Sequence, residues 1–265
     1  MQAEQIPLFY MPQRQKEFHM NEIEMKFMEQ CSQFSYPIDV TARQMQQLRT
    51  FYENLVEWNK VMNLTAITEE GDVYIKHFLD SLSLAEVVSL SKEGSSRKKI
   101  IDVGTGAGFP GLVLAVIMPK CEITLMDSLN KRIRFLQDTI QKAGIQNVTL
   151  IHARAEDLAR DKKQREQYDW AVSRAVANLA TLSEYCLPFV KKSGVFIAYK
   201  AEKAEEEVTT AGKAMEVLGG ELEQDCAFQL PGTDYQRHLI VIRKKRSTPG
   251  TYPRKAGMPA KEPIH

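Results

Sequence analysis

Ile101-Asp102-Val103-Gly104-Thr105-Gly106-Ala107-Gly108-Phe109-Pro110-Gly111 is the stretch from which the fold of this 265-residue chain is read. A short apolar run, 99–103, leads into it. A helical pattern, 109–118, leaves it, with Pro110 in the first turn and Pro119 as a stop. Glycines between a strand and a helix permit a tight turn and let a ligand approach the backbone. Outward from this turn, strand and helix patterns alternate. Strands are predicted over 122–126, 148–152, 170–173 and 195–200, and helices over 131–143 (closed by Gly144), 179–190 and 202–218. Two last strands, 221–228 and 238–243, are joined through Pro231-Gly232 with no helix between them. Alternation predicts a parallel sheet covered by helices, and the closing pair predicts an antiparallel hairpin at one edge.

Upstream of the turn the sequence reads as helices over 20–95. Leu48, Phe51, Tyr52, Leu55 and Val56 lie on one helical face, with Asp39 or Thr41 as its cap. Thr68, Glu69, Glu70 and Asp72 look like the start of another helix over 73–88, and 91–96 like a linker. Residues 1–19 carry Pro7, Pro12 and many polar groups, and read as a loosely ordered extension. The expected division is an extension 1–19, a helical region 20–95, an α/β core 96–246 and a Pro-rich basic tail 247–265. Cys31, Cys121, Cys186 and Cys226 form no Cys-x-x-Cys pair, which argues against a zinc site or a disulfide framework. No run approaches the roughly 18 apolar residues of a membrane span, and 1–19 lacks a signal-peptide core, so the expected location is the cytoplasm. The net charge is +1, but eight Lys/Arg and one carboxylate lie from Arg237 onward. A basic end of this kind suits a polyanion; the alternative is a solubilising tail.

The glycine turn alone is ambiguous. Gly106-Ala107-Gly108-Phe109-Pro110-Gly111 satisfies the dinucleotide pattern G-x-G-x-x-G, so a nicotinamide enzyme must be weighed. The fuller D-x-G-x-G-x-G from Asp102 through Gly104 and Gly106 resembles the first motif of S-adenosylmethionine methyltransferases. A carboxylate there suits the cationic amino group of a methionine moiety better than a pyrophosphate. Asp127 ends the second strand, where an acidic residue can hold ribose hydroxyls or, alternatively, cap the next helix. After the third strand, Ala155 and Glu156 stand where a methyltransferase chain passes the adenine; Glu156 or Asp157 could accept from its amine. Seven strands with a terminal hairpin likewise resemble the Rossmann-like methyltransferase fold. The nicotinamide reading explains 106–111 and Asp127, but not Asp102, the hairpin or the basic tail.

Missing motifs narrow the chemistry. The place after the fourth strand reads Ser173-Arg174-Ala175-Val176, not the Asn/Asp-Pro-Pro-Tyr/Phe that holds exocyclic amines. No Pro-Cys occurs for attack on cytosine C5, and no His/Asp cluster suggests a metal. A target with a free lone pair fits this lack of a dedicated catalyst, and guanine N7 is one such atom.

Several further motifs lie outside the cofactor core. They are Asn63-Leu64-Thr65, His77-Phe78-Leu79-Asp80-Ser81-Leu82, Asp127-Ser128-Leu129-Asn130-Lys131-Arg132, Ser173-Arg174-Ala175 and the tail from Thr248 through Tyr252, Arg254, Lys255 and Gly257 to Pro259. In this order they resemble the RsmG (glucose-inhibited division protein B) family, from about residue 20 to the end. The resemblance implies a bacterial, cytoplasmic enzyme methylating guanine N7 in 16S ribosomal RNA, within the small subunit and without an obligate protein partner. Its cofactor would be S-adenosyl-L-methionine, leaving as S-adenosyl-L-homocysteine, with no metal. Carried over by motif, the cofactor residues are Gly104, Phe109, Ala155, Glu156 and Arg174, with Asp127 and Ser128; Asp102 and Gly106 join them on chemical grounds. Arg174 is expected to meet the donor's carboxylate or a target phosphate. His77 and Asp80 either tie the helical region to the sheet or form the rim of the target pocket. Ala201 departs from the glycine usual after Lys200, so that loop is assigned no contact. RNA contacts are expected from Arg243, Lys244, Lys245, Arg246, Tyr252, Arg254 and Lys255, on a tail kept extended by four prolines. A non-catalytic RNA-binding factor with a vestigial pocket is the remaining alternative.

Overall fold

A computed structural model describes residues 19–174, 177–201 and 204–265. The expected extension up to residue 18, Ala175 of the Ser173-Arg174-Ala175 motif with Val176 after it, and the expected helix start at 202 lie outside the described residues. Among the described residues, seven strands form one sheet: β1 (Lys99–Val103), β2 (Glu122–Asp127), β3 (Val148–His152), β4 (Tyr168–Arg174), β5 (Val190–Lys200), β6 (Gly220–Gln229) and β7 (Gln236–Lys244). Their order is β3-β2-β1-β4-β5-β7-β6. The first five run parallel, and β7 pairs antiparallel with both β5 and β6. This is the Rossmann-like α/β architecture with a terminal hairpin. Central strands such as β1 are buried along nearly their whole length, as a sheet covered on both faces requires.

Two apolar layers flank the sheet. One packs the Gly111–Ile117 and Asn130–Ala143 helices against it, and continues without a break into α1 (Glu22–Ser32) and α2 (Ala42–Asn59). The helical region is thus part of the same core. Thr41, not Asp39, caps α2 in a reciprocal box with Gln44, and Asn21 does the same for α1 with Glu24. Polar ties hold α2 in place: Asn54 Nδ2 donates to Thr139 Oγ1 (2.8 Å) and Trp58 Nε1 to Asp138 Oδ2 (2.7 Å). The other layer holds the Leu179–Cys186 and Ala204–Val217 helices. Cys31, Cys121 and Cys186 are buried and Cys226 half-buried, all as free thiols. No helix among the described residues is long and apolar enough to cross a membrane.

Three sequence expectations need correction. The helix expected over 73–88 is broken into Glu70–Val73, a π-helical turn Tyr74–Leu79, Asp80–Leu82 and a 3-10 turn Ser83–Glu86. Its hydroxyls compete for backbone carbonyls, Ser81 Oγ bonding His77 O and Ser83 Oγ bonding Asp80 O. The helix expected over 179–190 stops at Cys186, because Pro188 brings no N–H to continue the ladder; β5 already begins at Val190. The tail is not a free extended arm. Arg165 Nη1 donates to Tyr252 O (2.9 Å) and Nη2 to Thr248 O (2.8 Å). Arg254 forms a forked pair with Glu184, whose side chain is 1% exposed. Met258–Lys261 then makes one helical turn, and Thr181 Oγ1 donates to Pro259 O (3.0 Å). The tail is therefore a strap laid along the second helical layer.

Candidate cofactor and target site

The strand order reverses direction between β1 and β4, and ligands of open α/β sheets bind at the carboxyl ends of strands at such a point. The glycine turn leaves β1 there, and Arg174 ends β4 beside it. Ser173 Oγ ties the two strand ends by donating to Val103 O (2.9 Å).

Asp102 organises the turn from beneath. It is fully buried, and its Oδ2 accepts from Thr105 Oγ1 (2.7 Å) and Gly111 N (2.8 Å). Burial pushes its carboxyl up to about 6 despite those two bonds. Its Oδ1 has no hydrogen-bond partner among the described residues. Gly111 has to be glycine, because a Cβ there would sit 2.7 Å from Asp102 Cβ and 2.3 Å from Leu125 Cδ2. Gly106, at φ +61°, turns the chain out over the cleft and donates its N–H to Asp127 Oδ2 (2.9 Å). Asp127 Oδ2 also accepts from Arg132 (3.1 Å), while Oδ1 takes only the Leu129 N–H (2.9 Å) among the described residues. A carboxylate offers about four lone-pair sites, so Asp127 keeps capacity for one hydroxyl.

Leu64, Thr65, His77, Gly104, Gly106, Phe109, Asp127, Ser128 and Arg174 are among the residues lining a cleft of about 430 Å³ over this turn. That lies within the range of small-molecule sites, roughly 300–1,000 Å³. Glycine backbone on one side and carboxylate acceptors below fit a ligand bearing both ribose hydroxyls and a cationic amine. Ala155 and Glu156 open the Ala155–Leu158 helix after β3, with first-turn N–H groups that no intrahelical carbonyl can reach. The Glu156 side chain is buried, and its Oε1 accepts from Gly257 N (2.8 Å) of the strap.

A second cleft, about 380 Å³, opens on the other side of Arg174, lined by Lys76, His77, Asp80, Ser83, Tyr199, Lys200, Arg237 and His238 among others. Arg174 forms the wall between the two. Its Nη1 donates to Asp80 Oδ2 (2.6 Å), and its Nη2 lies 3.3 Å from His77 Nδ1. Asp80 Oδ1 in turn accepts from Arg237 Nε (2.6 Å). An imidazole accepting at Nδ1 carries its proton on Nε2, which reaches Thr65 Oγ1 (2.9 Å). Burial, then the Arg174 charge, pushes the His77 imidazole down to about 4, so it is neutral at physiological pH. Phe109 stacks between His77 (centroids 4.4 Å apart) and Phe51 (5.1 Å), with the Arg174 guanidinium 5.2 Å from its ring. His77 and Asp80 thus tie the broken helix to β4 through Arg174, and both line the second cleft. The 380 Å³ hollow around Lys99, Glu122 and Gln167 lies at the amino ends of the strands, away from these groups.

The basic residues divide differently from the expectation. Lys244 is withdrawn from any RNA surface: its side chain is wholly buried, donating to Leu187 O (2.6 Å) and Thr248 Oγ1 (2.5 Å). Burial lowers its ammonium to about 8. Strand alternation explains this, since Lys244 shares a face with the core residues Ile240 and Ile242. Arg254 is committed to Glu184, Tyr252 packs half-buried against the second layer, and Arg243 is forked onto Glu223. Lys245, Arg246 and Lys255 are exposed. Arg243 lies opposite Val195 and His238 opposite Lys200, so the 243–246 cluster sits at the far end of the sheet from the clefts. Residues 76, 199, 200 and 237 were not expected at the site. The antiparallel direction of β7, which brings its beginning to the carboxyl end of β5, was the signal that could have found Arg237.

The family model described as rRNA small subunit methyltransferase G matches residues 44–240. The chain belongs to this family. A ribosomal RNA small subunit methyltransferase G of Alkaliphilus oremlandii is 52% identical over 227 residues, spanning 86% of this chain and 93% of its own length. The protein of the same name from Desulforamulus reducens is 45% identical over 245 residues, 92% of this chain and 100% of its own. Among solved structures, the chain is similar to a 16S rRNA (adenine(1408)-N(1))-methyltransferase of Catenulisporales acidiphilia, at TM-score 0.48 and 12% identity, over 60% of this chain and 90% of that one. These relatives share the methyltransferase name, and in this chain His77 and Arg174 line both clefts, Asp80 the second, and Gly104, Gly106 and Phe109 the first.

Proposed function

We propose that this protein transfers a methyl group from S-adenosylmethionine to N7 of a guanine in small-subunit ribosomal RNA. The observation that carries the reading is the pair of adjoining clefts with Arg174 as their common wall. The cleft over the glycine turn takes the donor. Asp127 holds a ribose hydroxyl, the first-turn amides of Ala155 and Glu156 face the adenine, and the orphaned Asp102 Oδ1 accepts from the donor's amino group, directly or through a water. A buried acceptor left without a donor costs about 1–3 kcal/mol, which a bound ammonium removes.

The cleft beyond Arg174 takes the guanine. In the transfer, the N7 lone pair forms the new N–C bond as the methyl–sulfur bond breaks toward sulfur, and the base becomes cationic without releasing a proton. No general base is needed, which agrees with a neutral His77 whose Nδ1 is already engaged by Arg174. Asp80, bridging Arg174 and Arg237, fixes both guanidiniums in the wall of the target cleft. The protein's contribution is chiefly positioning. Exposed Lys245, Arg246 and Lys255 are left for outlying phosphate contacts.

Calorimetric titration separates this from the nicotinamide reading. S-adenosylhomocysteine binding at micromolar or tighter affinity, with no heat from NAD, is expected; the reverse order of affinities would reject the methyltransferase assignment.

A further inference from the structure

Tyr235 stands out on the surface as a large aromatic, 39% exposed, with a cation at each of two contacts: Lys76 Nζ at 5.7 Å and Arg237 Cζ at 5.5 Å from its ring centroid. Nothing in the core requires it. Its loop is nevertheless held firmly. Tyr235 N donates to Thr233 Oγ1 (3.1 Å), Leu230 N donates to Tyr235 O (2.9 Å), and Gln30 Nε2 of α1 reaches Pro231 O (2.7 Å). The loop therefore holds the ring against Lys76 and Arg237, two residues that line the second cleft, where β7 begins beside the carboxyl end of β5.

Charge follows the same path. From the glycine turn outward run Arg174, Arg237 and Lys76, joined by the Asp80 carboxylate between the two arginines and by Asp72 at 3.0 Å from Lys76. Lys200 on the opposite wall is paired with Glu207 (2.7 Å), and His238 with Asp225 (3.0 Å). An aromatic face set among cations at the entrance of a nucleotide-sized cleft is how proteins hold unpaired RNA: bases stack on the ring, and phosphates meet the cations. The 243–246 cluster begins about 20 Å beyond Arg237 along β7 at ~3.3 Å per residue, too far to hold the nucleotides next to the target.

We infer that Tyr235, Lys76 and Arg237 form the entry surface for single-stranded RNA, the ring taking a base adjacent to the target guanine and the cations its flanking phosphates. This rests on the reading that the second cleft receives the target. The test uses the full-length protein and a short, unstructured, fluorescently labelled RNA oligonucleotide containing one guanine. Anisotropy would give the RNA affinity, and calorimetry the S-adenosylhomocysteine affinity. Tyr235→Ala should weaken RNA binding roughly 5- to 150-fold, the range for loss of one stacked base. Tyr235→Phe should retain it, and cofactor affinity and melting temperature should be unchanged in both. Lys76→Ala should lower the slope of log K against log[salt] by about one. Arg246→Ala should matter less than Tyr235→Ala. Wild-type RNA affinity in Tyr235→Ala, or a larger loss in Arg246→Ala, overturns the inference even if the wild-type protein methylates small-subunit RNA. A wild-type protein that binds neither RNA nor S-adenosylhomocysteine overturns the underlying functional reading as well.

Discussion

Arg174 is the residue on which the two clefts depend. Its guanidinium engages Asp80 and His77, donates to the Lys76 carbonyl and lies over Phe109. A lysine ammonium cannot reproduce a planar fork that reaches a carboxylate and an imidazole at once. Arg174→Lys should keep the bond to Asp80 and lose the contact with His77, lowering kcat/KM for methyl transfer about 10- to 100-fold, as one lost charge-assisted bond implies. Full activity in Arg174→Lys would show that point charge alone is enough. His77 gives a pH test. Its folded pKa, about 4, lies below the roughly 6.5 of an unfolded histidine. The stability it contributes is therefore full above about pH 6.5 and lost as the pH falls toward 4. Its imidazole resonance should titrate near pH 4 by NMR; a midpoint near 6.5 would mean that His77 is neither buried nor beside Arg174 in solution. Sequence reading placed Arg174 after the fourth strand and set His77 and Asp80 three residues apart. It could not see that both would be gripped by that arginine, because the grip crosses from a broken helix to a strand end some 95 positions away.

At the scale of elements, the glycine turn and the alternation that flanks it were legible because each obeys a local rule: period two for strands, a glycine left-handed turn, proline stops. Val148–His152 is found as expected, and Thr41 is one of the two caps proposed for α2. The strap was not legible. Four prolines describe backbone freedom, but the strap's path is set by Arg165, Glu166, Glu184 and Glu156, scattered over two helices and the loop before β4. This changes what removing it should do. Sequence alone assigns residues 247–265 to RNA; the structure ties Gly257 to Glu156 and Arg254 to the nearly buried Glu184. Arg254→Ala leaves that buried carboxylate only the backbone N–H of residue 254, and loss of the charge partner is worth about 3–5 kcal/mol. At about 2–4 °C per kcal/mol for a domain of this size, the melting temperature should drop by about 6–20 °C. Deleting residues 247–265 should also weaken S-adenosylhomocysteine binding several-fold by freeing Glu156. Unchanged melting and cofactor affinity in both variants would mean the strap is not docked.

For the whole molecule, topology decides where chemistry can gather. A parallel sheet with one reversal puts the ends of β1 and β4 side by side, and the antiparallel β7 delivers Arg237 to the same end while carrying Arg243–Arg246 away from it. Two strands without a helix between them mark the hairpin in the sequence, but which end of β7 brings its charge to the clefts is set by its pairing with β5. The helical region completes the site from the opposite side, with Thr65, Lys76, His77 and Asp80 as its contribution. The family assignment and this geometry converge on methyl transfer to small-subunit RNA, and the finer claim is the atom modified. The most direct measurement supplies methyl-labelled S-adenosylmethionine and small subunits from cells lacking the enzyme, then maps the product by strand scission specific for N7-methylguanine. The account predicts label in the RNA of the small subunit, with scission at a single guanine. Label at another ring atom, or in protein or DNA instead, would contradict it.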